Sequence, residues 1–165
     1  MDGAAIRVYQ ACMAFKKILC AVDFSDHARE AMRRAADLAK STGGALTLLH
    51  AVYVPITSYA DGGPMLPSSG PELSAQLGKE AEKHLAEWKK RAEEMGVRSV
   101  TTQVVAGVPW HTVVEALEAD RGYDLVVIGT HGRSGLSRLL LGSVAENVVR
   151  HAPCPVLVVR QPTAA

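Results

Sequence analysis

The chain lacks the features of a membrane, secreted or polyanion-binding protein. Lys and Arg number 18 against 17 Asp and Glu, a formal net charge of +1, so no bulk attraction favours a nucleic-acid partner. Cys12, Cys20 and Cys154 are odd in number and lack metal-like spacing. They suit free thiols in a reducing cytoplasm better than a disulfide framework. No run approaches the roughly 18 apolar residues of a membrane span. Met1 to Cys12 holds no apolar stretch of the signal-peptide kind. There is no internal repeat and no low-complexity tract. The expectation is a cytoplasmic, single-domain protein.

Signatures of several enzyme classes are missing too. Without G-x4-G-K-[ST] the chain is not a P-loop NTPase of the usual kind. No G-x-G-x-x-G follows the first apolar run, which argues against that type of dinucleotide fold, and no Gly-x-Ser-x-Gly elbow marks an α/β hydrolase. The first strand ends in Val22-Asp23-Phe24-Ser25 without the glycine-rich loop of ATP pyrophosphatases. The six histidines lie at no metal-binding spacing. His131 has no partnered carboxylate in the sequence and reads as a solvent-facing loop residue.

What is present is regular alternation. The 165 residues, 48% hydrophobic and 21% charged, suffice for one well-buried domain. Strands are expected over 16–23, 45–54, 98–106, 125–129 and 154–160. Ser25 can cap a helix whose apolar face is Ala28, Ala31, Met32, Ala35, Leu38 and Ala39, ended by Gly43-Gly44. A Gly-, Pro- and Ser-rich stretch over 55–71 is too long for an ordinary connection and reads as a mobile loop beside a site. Leu73, Leu77, Ala81, Leu85, Trp88, Ala92 and Met95 then recur at steps of three and four, one helical face. Pro109 suits the first turn of a third helix, with Val113, Val114 and Leu117 inward, and Ser143–His151 forms a fourth. Five strands alternating with four helices predict an open parallel α/β sheet covered on both faces. If Asp23 and Gly129 end neighbouring strands of one site, the order is 3-2-1-4-5.

Gly129-Thr130-His131-Gly132, followed after nine residues by Gly142-Ser143, carries the chemistry. A strand ending in glycine and re-entering a helix lets backbone N–H groups converge on an anion. The helix N-terminus adds unpaired donors and a positive dipole end. This is a candidate cradle for nucleotide phosphates. Arg133 and Arg138 either pair with those phosphates or face solvent. Ser143-Val144-Ala145-Glu146 fits a capping box, with Ser143 as the cap and Glu146 reaching back. Asp23 reads either as a turn hydrogen-bond acceptor or as a ligand to ribose or to phosphate-bound Mg²⁺, which a carboxylate suits.

The spacing G-x2-G-x9-G-S resembles the ATP-binding signature of the universal stress protein family. Lys16–Ser25, Leu48–Val52 and Pro153–Val159 resemble its first, second and last strands, so the likeness covers about residues 14–160. Met13-Ala14-Phe15-Lys16-Lys17 resembles the usual family start, leaving 1–12 as an N-terminal extension and 13–165 as the domain. The resemblance implies a Rossmann-like, ATP- and Mg²⁺-binding homodimer. Ala21, Val22, Ala51 and Val52 match positions that frame adenine; taken alone they read as core residues. Ile128, Gly129, Gly132, Arg133, Gly142, Ser143 and Val144 complete the expected nucleotide site, and Asp23 the metal contact. The implied function is nucleotide-dependent regulation of a stress response. The alternatives are a slow ATPase or nucleotide hydrolase, and a partner-binding module taking another adenine nucleotide such as cyclic AMP. Strand 154–160, at the sheet edge, is the expected dimer contact.

Overall fold

A computed structural model describes residues 15–53, 70–130 and 141–161. Its elements are β1 (Lys17–Ala21), α1 (Asp26–Thr42), β2 (Ala45–Val52), α2 (Gly70–Glu94), β3 (Ser99–Ala106), α3 (Pro109–Ala119), β4 (Leu125–Gly129), α4 (Ser143–His151) and β5 (Val156–Val159). All pairings are parallel and the order is β3-β2-β1-β4-β5, as the sequence predicts.

The inner strands β1 and β4 are apolar on both faces because helices cover both, whereas the edge strand β3 is mostly exposed. Alternation along a strand sends successive side chains to opposite sides. Ile18 and Cys20 of β1 and Leu125 and Val127 of β4 enter one core with α1 and α2 residues such as Ala31, Ala35, Leu85 and Trp88. Leu19, Val126 and Ile128 enter the other, with Val113 and Leu117 of α3 and Ala145 and Val148 of α4. Between β1 and β4 the register pairs Ile18 with Leu125 and Ala21 with Ile128. The small face of α1 lets it sit close to the sheet, and Ala36, absent from the expected apolar stripe, is fully buried too.

The helix ends follow local chemistry. Ser25 Oγ accepts from the Ala28 N–H at 3.2 Å, and Gly43 closes α1 at φ +65°, a conformation that favours glycine. Asp124 holds the start of β1 by accepting from the Lys16 N–H at 2.7 Å. Lys17 pairs with Asp120 and lies over the Tyr123 ring.

Several expectations need correction. β2 ends at Val52, and β5 covers only Val156–Val159 of the expected 154–160. β1 stops at Ala21 and not Asp23, because the chain turns sharply at Phe24. Most of the 55–71 stretch lies outside the described residues, but its end is already helical, since α2 starts at Gly70 with Pro71 in its first turn. The α2 stripe is buried only from Ala81 onward, while Leu73 and Leu77 are exposed. A helix of 25 residues spans about 37 Å at 1.5 Å per residue. An eight-residue strand covers only about 26 Å, so the helix outruns the sheet it packs on.

Candidate functional site

β1 and β4 are neighbours, yet their following helices lie on opposite faces of the sheet. The chain therefore parts at their carboxyl ends and leaves a crevice at the switch in strand order. A cavity of about 450 Å³ opens there. Its walls come from the ends of β1, β2 and β4, from Pro109 and Val113 of α3, and from the start of α4.

On the β1 side, pairing with β2 ends as the Val22 N–H donates to Leu49 O at 2.9 Å. The Val22 carbonyl lies 2.7 Å from His50 Nδ1, which must be the donor because a carbonyl only accepts. Phe24 then takes φ +65°, strained for a bulky side chain. Its ring is held in place by His50, Trp88 and His84, with centroids 4.5, 5.5 and 5.2 Å away. Asp23, which lines the cavity, accepts at Oδ1 from the Ser25 N–H (3.1 Å) and the Ser25 hydroxyl (2.6 Å). Site carboxylate and helix cap are thus one hydrogen-bonded unit.

On the β4 side, the Thr130 N–H donates to Val159 O, and the Gly142 N–H donates to Thr130 O at 2.8 Å. This brings the end of β4 and the start of α4 together. Thr130 is buried, and its hydroxyl has no hydrogen-bond partner among the described residues. Gly142, not Ser143, is the N-cap of α4, with no side-chain capping bond. The expected capping box is therefore absent. Glu146 turns away to Arg150, 3.0 Å distant, and Ser143 is the first helical residue. Among the described residues, no side chain caps the first-turn N–H groups of α4 beside the cavity. Gly142 has φ −62°, so no left-handed conformation demands glycine there. Gly129 is required for a different reason: a Cβ on it would lie 3.0–3.1 Å from the backbone carbonyl group and Cβ of His27. It lets α1 approach β4.

The structure gathers Ala21, Val22, Asp23, Ala51, Ile128, Gly129, Gly142, Ser143 and Val144 around one cavity. Val52 is not among its walls; it is buried, and its carbonyl accepts from the Gly107 N–H on the β3 side. Gly132 and Arg133, with His131 and Arg138, lie outside the described residues. Reading the sequence missed His50, Tyr53, Thr130 and Pro109 as wall residues. Pro109 carried a helix-start signal but none for a ligand, and His50 becomes visible only once β2 is set beside β1. Among the described residues no group of three or more His, Cys, Asp or Glu side chains is placed to hold a metal ion. Cys20 lies fully buried in the sheet below, and burial pushes its thiol far above the usual range. No helix of the described residues is long and apolar enough to cross a membrane.

Comparison with known proteins gives one consistent result. Residues 14–160 match the model of the universal stress protein family. Universal stress protein MJ0531 of Methanocaldococcus jannaschii is 43% identical over 150 residues, covering 90% of this chain and 84% of the relative. The structure of universal stress protein UspA from Lactobacillus plantarum superposes with a TM-score of 0.77 at 28% identity, covering 88% of this chain and 98% of that one. A universal stress protein solved in complex with cAMP gives a TM-score of 0.62 at 26% identity, covering 89% and 98%.

Proposed function

This chain belongs to the universal stress protein family, and from that membership we propose that its cavity binds ATP with Mg²⁺, occupancy serving as the signal of a stress-response regulator. The observation that carries the reading is the pairing of an apolar slot with an uncapped helix N-terminus in one cavity. Ala21, Ala51, Val113 and Ile128 suit the faces of a purine. The ladder adds edge recognition. Leu49 bonds toward β1 and Val52 toward β3, so alternation turns the backbone groups of Ala51 to the side β1 has vacated. There they can read a base edge. The first turn of α4 suits phosphate oxygens, and Gly132 and Arg133 belong to the same proposal.

Asp23 contributes a single carboxylate, which fits Mg²⁺ arriving with a nucleotide and keeping most of its waters, not a resident metal site. When bound, the ion would neutralise phosphate charge. The carboxylate's bonds to Ser25 orient it as a ligand and not as a base, in keeping with binding in preference to fast turnover. The reading extends to a cytoplasmic homodimer closed through β5, whose outer edge is unpaired among the described residues. A second reading, cyclic AMP as the ligand, draws on the cAMP-bound relative.

Thermal melts of nucleotide-free protein test this. ATP-Mg²⁺ at about 100 times its dissociation constant adds about 2.7 kcal/mol to the folded state. For a chain of this size that is a rise of roughly 5–10 °C. A flat melting temperature up to millimolar ATP refutes the proposal, and a rise with cyclic AMP alone selects the second reading.

A further inference from the structure

Resting on the nucleotide reading of the cavity, we propose that His50 and Phe24 are positioning residues that hold the mouth of the site open. A parallel ladder continued past Leu49 would offer the Val22 carbonyl to the Ala51 N–H. Instead the His50 side chain reaches that carbonyl at 2.7 Å, and the β1–β2 register ends at Ala21 opposite Leu49. The imidazole replaces a backbone bond with a side-chain bond. The chain can then leave the sheet while the carbonyl stays satisfied.

Phe24 fixes the direction in which it leaves. A phenylalanine at φ +65° persists only where its surroundings over-determine it. Here the ring lies against the same imidazole at 4.5 Å and edge-on to Trp88 at 5.5 Å. His50 thus grips the turn twice, through Val22 O and through the Phe24 ring. Between those two residues stands Asp23, whose carboxylate orientation is completed by Ser25. Neither grip requires His50 or Phe24 to touch the nucleotide. Their effect is on where Asp23 and the edge of Ala51 lie before a ligand arrives, and preorganisation of this kind is read out as affinity.

The test measures ATP-Mg²⁺ and AMP binding by calorimetry for the full chain and for His50→Leu, His50→Asn and Phe24→Leu. Leucine keeps bulk but removes the donor; the asparagine amide can reproduce a donor close to Nδ1. His50→Leu should weaken ATP binding about tenfold or more, and His50→Asn should recover most of that loss. Phe24→Leu should weaken both nucleotides to a similar degree. Unliganded melting temperatures accompany each titration, so that a general loss of folding is recognised. Rescue by asparagine separates a hydrogen-bonding role from simple packing. Wild-type affinity in His50→Leu, or no recovery in His50→Asn, overturns the positioning role while leaving the nucleotide reading intact. A wild-type chain that binds neither nucleotide overturns that reading and this proposal with it.

Discussion

Gly129→Ala separates two explanations for a glycine that the sequence offers as part of a phosphate cradle. The added Cβ would stand 3.0 Å from the His27 carbonyl carbon and 3.1 Å from both its oxygen and its Cβ. Ordinary van der Waals contact begins at about 3.4 Å, so α1 or β4 must shift by a few tenths of an ångström. Neither yields easily. His27 belongs to the first turn of α1, whose Ala28, Ala31 and Ala35 are essentially fully buried, and β4 is an inner strand, paired on both sides. Overpacking of this kind costs about 1–3 kcal/mol. With an unfolding entropy of about 2.1 cal/mol/K per residue, the melting temperature should fall roughly 3–9 °C. Scanning calorimetry of ligand-free protein is the direct assay, since a glycine needed only for phosphate contact would leave the apo protein's stability unchanged. A melting temperature within about 1 °C of wild type would refute the packing argument, because overpacking on this scale is larger than that.

Two further outcomes are expected. In thiol-labelling followed by peptide mass spectrometry, Cys20 should react only as the protein unfolds, because burial both shields its thiol and pushes its ionisation far upward; prompt labelling at neutral pH in native buffer would contradict that. Sedimentation at tens of micromolar should report a dimer, since β5 has one unpaired edge and Leu157 on it and Val149 on α4 expose apolar side chains. A monomer, or a dimer that protects none of residues 154–160 from hydrogen exchange, would count against the β5 contact.

Much of the fold was legible because most strands are apolar runs, β3 alternates, and each helix carries a three-to-four repeat. Parallel order followed from placing Asp23 and Gly129 at one crevice. Element ends were less legible, since they depend on tertiary partners. Nothing local to Phe24 announces a left-handed turn; the rings of His50 and Trp88 make it tenable. The capping box shows the same limit. Ser143 and Glu146 satisfy the pattern, yet Ser143 is already helical, so the cap falls one residue earlier on Gly142, whose N–H is bonded to Thr130 O. Gly129 lines the cavity but also lies under the first turn of α1, a contact the sequence cannot show. Val52 is buried outside the cavity wall, and its carbonyl is engaged by the Gly107 N–H on the β3 side, a pairing no local pattern announces.

The two helix N-termini that flank the crevice are not equivalent, and that asymmetry sets the polarity of any charged ligand. At α1 the cap is complete. Ser25 Oγ accepts from the Ala28 N–H, Asp23 Oδ1 takes the Ser25 donors, and Asp26 adds a second carboxylate in the first turn. Asp23 opposes the positive end of the dipole there, while Asp26 is itself paired with Arg29, 2.9 Å distant. At α4 none of the described side chains caps the first turn, and Glu146 is likewise paired, with Arg150. An anion entering the cavity is therefore favoured at α4 and repelled from Asp23. On the proposed reading, a nucleotide with its base between Ala51 and Val113 directs its phosphates toward Gly142 and Ser143, leaving Asp23 for hydroxyl groups or for a cation carried with the phosphates. The reverse pose would set phosphate against a carboxylate and leave the open donors of α4 facing a ribose. Local charge thus selects one orientation in a cavity whose walls are mostly apolar.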